Sequence, residues 1–127
     1  MDPWTYELAP VLAAVRPAAT RFREWAARRI GESATADCEL ALVEACNNLI
    51  THNTSVGPIS LYAEATHFEV KLTIKDHTQG FEWPKEPTLP DPDAERGRGI
   101  FLMHSLMTHV EYSRHEGWNE LCLRRRL

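Results

Sequence analysis

The chain of 127 residues is long enough for one domain with a real hydrophobic core. Its 43% hydrophobic and 25% charged residues are ordinary for a globular protein. A net charge of -4 removes any general electrostatic case for binding nucleic acid.

Residues 4–12 alternate weakly and are expected to form a first strand. Pro17 suits the first turn of a helix whose apolar stripe is Ala18, Phe22, Trp25, Ala26 and Ile30, with Gly31 as its stop. Thr35 is a candidate cap for a second helix, and Asp37 and Glu39 favour its positive end. This helix is expected to run to about His52. Leu42, Val43, Cys46, Leu49 and Ile50 make its apolar side, while Glu44, Asn47, Asn48, Thr51 and His52 share the other face. Residues 53–58 carry turn chemistry.

Two strands are expected next, Ile59–Ala65 and Phe68–Lys75. In the second, Phe68, Val70, Leu72 and Ile74 point one way, and Glu69, Lys71, Thr73 and Lys75 the other. That pattern fits an antiparallel sheet with one buried and one wet face. Residues 82–98 hold Pro84, Pro87, Pro90 and Pro92 and read as a long loop, functional or disordered, with Trp83 as a contact candidate. The apolar run Ile100–Met107 predicts a largely buried helix. Two strands at about Val110–Arg114 and Trp118–Leu127, joined at Glu116-Gly117, close the chain. Arg124-Arg125-Arg126 reads as a solvated edge rather than a DNA patch.

Cys38, Cys46 and Cys122 form no CxxC pair, which argues for a reducing compartment. No apolar run approaches membrane-spanning length and no signal-peptide pattern opens the chain, so a cytoplasmic protein is expected. No HxH or HExxH spacing points to zinc.

Three features carry chemistry. Glu44 and Asn48, four apart on one helix, place a proton acceptor beside an oxygen that can hold a hard cation, the start of a phosphoryl-transfer site. Asp76 continues the parity of the inward residues of its strand, and a carboxylate aimed inward needs donors. Either nearby backbone amides supply them, or a ligand does, for which the exocyclic amine of adenine is well suited. Gly80 would let the backbone approach a flat base. Gly97-Arg98-Gly99 at a helix start offers free amides for phosphate, with Arg96 and Arg98 adding charge.

Taken in order, these parts resemble the bacterial anti-sigma regulatory factors, the RsbW-like serine/threonine kinases of the GHKL histidine kinase-like ATPase superfamily. Glu44-Ala45-Cys46-Asn47-Asn48 through His52 looks like the family's N box, and Asp76 through Gly80 like its first glycine box. Arg96-Gly97-Arg98-Gly99-Ile100-Phe101-Leu102-Met103 looks like its second.

The resemblance implies an α+β fold, a two-layer sandwich with a mixed, mostly antiparallel sheet and helices on one face, as one domain over residues 1–127. It implies a protein serine/threonine kinase that uses ATP and Mg2+. Glu44 would be the general base, Asn48 the metal ligand, and Asp76 the partner of adenine. Gly80, Arg96, Gly97, Arg98 and Gly99 would complete the nucleotide site. The implied partners are a sigma factor and an anti-anti-sigma (STAS-domain) protein, with homodimerisation, no direct nucleic acid contact and no membrane. Thr78 departs from the family's D-x-G-x-G. If that position needs positive φ, a β-branched residue resists it, which implies weakened nucleotide affinity or a rearranged loop. The rival readings are a binding module of the same fold that transfers nothing, and the ATP-binding half of a histidine kinase, which the absence of a phosphoacceptor helix disfavours.

Overall fold

The computed structural model describes residues 2–53, 57–78 and 98–127. Its elements in chain order are β1 (Trp4–Leu8), a short 3-10 turn (Leu12–Ala14), α1 (Val15–Ala27), α2 (Glu32–Thr51), β2 (Ile59–Ala65), β3 (Glu69–Asp76), α3 (Arg98–Leu106), β4 (His109–His115) and β5 (Trp118–Arg126). The five strands form one sheet in the order β1-β2-β3-β5-β4. Every pairing among them is antiparallel. Alternation decides which side is dry. Leu8, Ile59, Leu61, Ala63, Val70, Leu72, Ile74, Leu121 and Leu123 are buried on one face, and the helices bring Phe22, Ala26, Cys38, Leu42, Cys46 and Met103 into the same core. Among the described residues no helix is long and apolar enough to cross a membrane.

The helix boundaries show where local rules gave way. α1 ends at Ala27, and Gly31 begins the next helix rather than stopping this one, with φ of 83° at the N-cap of α2. Thr35 is not a cap. It lies inside α2, where its hydroxyl donates to the Gly31 carbonyl at 2.6 Å, the back-bonding open to a helical threonine. α2 has 20 residues and is therefore roughly 30 Å long. Its apolar side is the expected one, and Ala34, Ala41 and Ala45 allow close approach.

Three expectations about burial change. Phe68 precedes β3 and is 79% exposed, because it sits in the β2–β3 turn beyond the cover of the helices. Within α3 only Gly99 and Met103 are buried, so this helix lies at the rim with one side in the core. Arg124–Arg126 is no solvated edge, since β5 runs between β3 and β4. Arg125 Nε donates to Asp37 Oδ2 of α2 at 3.1 Å, and Arg124 pairs with Glu69 of β3 at 3.5 Å. These half-exposed pairs tie the strand's end to its neighbours at modest energetic gain. Cys38 and Cys46 are core residues, and burial pushes both thiols up to about 12, so both stay protonated and unreactive at neutral pH.

Candidate functional site

The 20-residue length of α2 carries its polar face across to α3. Glu44 and Asn48 are both half-buried on that face rather than solvated. The first turn of α3 rests directly on them. A Cβ built at Gly99 would lie 2.8 Å from Asn48 Nδ2 and 2.9 Å from Glu44 Oε2. Gly99 is therefore required by close approach, and the two polar side chains face the helix entrance through the space its missing side chain leaves. Among the described residues no hydrogen bond or ion pair engages the Glu44 carboxylate, which leaves it able to accept a proton.

β3 delivers Asp76 to the same place. It is the last residue of its strand, on the inward parity, and 2% exposed. Three donors converge on Oδ1: the Thr78 amide at 2.9 Å, the Thr78 hydroxyl at 2.6 Å and Asn119 Nδ2 at 3.0 Å. Asn119 Nδ2 also donates to the Thr78 carbonyl at 2.9 Å. Among the described residues none donates to Oδ2. The two explanations for an inward Asp thus divide between its oxygens, a local turn on Oδ1 and acceptor capacity left over on Oδ2. Thr78 adopts no positive φ, since no non-glycine residue does among those described. Its substitution for glycine is met by the ordinary backbone and a buried hydroxyl.

Asn48, Asp76 and Met103 of α3 line one cleft together with Ala45, Leu49, Tyr112 and Leu121. It is nearly closed, with a cavity of about 10 Å3, room for about one water, against roughly 300–1,000 Å3 for usual ligand pockets. A broader hollow of about 560 Å3 lies over the sheet among Glu7, Ser60, Tyr62, Lys71 and Lys75. Within it Ser60 donates to Glu7 at 2.6 Å, and Tyr62 donates to Glu64 beside it at 3.1 Å.

The structure therefore packs Glu44 and Asn48 against Gly99 and lets Asn48 share a cleft with Asp76. Arg98 is exposed at the start of α3. Gly80, Arg96 and Gly97, like the proline-rich stretch and Trp83, lie outside the described residues. Asn119 was missed. It stands opposite Asp76 in the β3–β5 register, and the parity that singled out Asp76 would have found it, as a polar residue in phase with Leu121 and Leu123. Among the described residues no group of three or more His, Cys, Asp or Glu side chains could hold a metal.

Known proteins extend these observations. The chain is 35% identical over 89 residues to the serine/threonine-protein kinase BtrW of Bordetella bronchiseptica, covering 63% of this chain and 62% of that one. It is 29% identical over 94 residues to the serine-protein kinase RsbW of Staphylococcus aureus, covering 64% of this chain and 59% of that one. The match thus spans about three fifths of these curated relatives. A solved structure of the RsbU and RsbW domains of a Mycobacterium tuberculosis protein superposes with a TM-score of 0.74 at 20% identity, over 100% of this chain and 32% of that one, which speaks for the fold. The profile described as Histidine kinase-like ATPase domain matches residues 8–125, and the chain belongs to that family.

Proposed function

We propose that this chain is an anti-sigma factor with ATP-dependent serine/threonine kinase activity toward an anti-anti-sigma (STAS-domain) partner, acting in the cytoplasm as one domain. The observation that carries the reading is that Asn48, packed with Glu44 against the α3 entrance at Gly99, lines one cleft with the buried Asp76. Each has a matching demand in phosphoryl transfer from ATP, where positioning and electrostatics supply most of the catalysis.

The residues present fit nucleotide and Mg2+. Asn48 and Glu44 lie directly against the start of α3 at Gly99, where the positive end of the helix dipole favours a phosphate once the two side chains move aside. Mg2+ needs only one or two protein oxygens when phosphates supply others, and Asn48 would hold it; when bound, it offsets phosphate charge. Asp76 Oδ2 would accept from the adenine amine. Glu44 takes the proton of the partner's Ser or Thr hydroxyl as its oxygen bonds to the γ-phosphorus. The bond from that phosphorus to the β–γ bridging oxygen breaks, and ADP leaves with the electron pair. Because the cleft is tight, nucleotide entry requires its walls to part.

Incubation with γ-labelled ATP, Mg2+ and a STAS-domain protein of the same cell tests the reading. Label on a partner Ser or Thr is expected. A stable complex that acquires no label would establish the second reading, a binding module of the same fold, which the narrowness of the cleft favours.

Gly99→Ala separates site from scaffold. The atoms a Cβ would strike are the ends of two flexible side chains, and alanine suits a helix better than glycine by about 0.5–1 kcal/mol. Thermal stability should therefore stay within about 1 kcal/mol of the parent. Phosphoryl transfer should fall by about tenfold or more, because Asn48 and Glu44 must swing aside. Unchanged transfer would remove the α3 entrance from the site.

A further inference from the structure

Thr78 is the residue at which this chain leaves its family's pattern, and the structure gives it an occupation. A carboxylate has two oxygens and about four acceptor sites. In Asp76 all three donors described above fall on one of those oxygens, and two of the three come from Thr78. The hydroxyl contact is the shortest, 2.6 Å, in the range of a charge-assisted O–H···O bond. Thr78 is itself buried and its carbonyl is held by Asn119, so neither end of the contact is loose. Three donors on one oxygen fix the rotation of the carboxylate. Oδ2 is then left on a residue 2% exposed that lines the cleft with Asn48 and Tyr112. An acceptor with capacity to spare in the cleft favours a ligand that brings an N–H over one that brings a carbonyl.

We propose that Thr78 is a specificity-determining positioning residue, whose hydroxyl locks Asp76 so that Oδ2 selects a purine bearing an exocyclic amine over one bearing a carbonyl. The inference rests on the nucleotide reading above and deepens it. Glycine at this position would provide the backbone amide but no hydroxyl, so the lock is a property of this chain. Thr78 acts through Asp76 and touches no reacting atom.

Calorimetry with ATP and with inosine triphosphate, which carries a carbonyl where ATP carries the amine, tests it on the intact chain. The readout is the ratio of the two dissociation constants, which a merely structural loss would leave unmoved. The parent should prefer ATP. Thr78→Val keeps the shape and the backbone amide but removes the hydroxyl, and the ratio should fall by about tenfold, the worth of one hydrogen bond to a charged group. Thr78→Ser should restore it. Should the valine variant not fold, Thr78→Ala reads the same ratio without the added methyl. Equal weakening of both nucleotides in the valine or alanine variant overturns the assignment while leaving the nucleotide site standing. Failure of the parent to bind either nucleotide overturns the nucleotide reading and this assignment with it, and that result is seen in the parent alone.

Discussion

Asp76→Asn should keep the fold and turn the cleft from one that accepts a hydrogen bond into one that donates it. The carboxylate places one oxygen among three donors, the Thr78 amide, the Thr78 hydroxyl and Asn119 Nδ2. An asparagine oxygen can take the same place, with two lone pairs for the three donors. Its amide nitrogen then points where Oδ2 was. The charge-assisted bonds become neutral ones, about half as strong, so a loss of roughly 1–2 kcal/mol in unfolding free energy is expected. The effect on ligand is larger. The adenine amine would meet another amine, and a donor facing a donor in a buried site loses both the bond and the desolvation of each group. ATP affinity should drop by about a hundredfold, on the order of 3 kcal/mol, while inosine triphosphate should lose far less. Denaturant unfolding and calorimetry measure the two quantities separately. Asp76→Ala should behave differently, since it strands three donors in a site where Asn119 is 2% exposed. It should lose both stability and binding. If Asp76→Asn bound ATP as the parent does, the base would lie elsewhere.

Glu44→Gln is the second large effect. Glutamine keeps the shape and the hydrogen-bonding reach of glutamate but cannot take a proton near neutral pH. Because Gly99 lies so close to Glu44 Oε2, the substitution must preserve volume at that point. Nucleotide affinity should be unchanged within about twofold, as Glu44 is not asked to hold base or triphosphate. Phosphoryl transfer to the partner should fall by about 10²–10⁴-fold, the usual worth of a positioned general base. Single-turnover transfer of labelled phosphate reads this directly. Near-parental transfer would take Glu44 out of the chemistry and leave it a structural contact of α3.

The parts of the site that could be read in the sequence are those set by a short period. The face of α2 follows from spacing by three and four residues, and the inward aim of Asp76 follows from alternation along β3. β2 has the bounds its pattern suggests, Ile59–Ala65. What escaped depends on contacts between distant segments. Asn119 reaches Asp76 across 43 residues of sequence through the β3–β5 register. Phe68 kept the parity of β3 yet lies outside, because parity says nothing about where the covering helices stop. Thr78 could not be read in full for a different reason. A rule about β-branched residues and positive φ is local, and here the backbone takes no positive φ while the hydroxyl caps Asp76. The run Ile100–Met107 named a helix correctly but overstated its burial, since apolar content does not reveal that α3 sits at the rim.

The central claim is that α2, the end of β3 and the entrance of α3 enclose one nucleotide site. A crystal structure of the full chain grown with Mg2+ and a non-hydrolysable ATP analogue tests it most directly. The expected result is an adenine amine within hydrogen-bond distance of Asp76 Oδ2 and phosphates lying between Asn48 and Gly99. Well-ordered analogue bound on any other surface, with this cleft still closed, would contradict it.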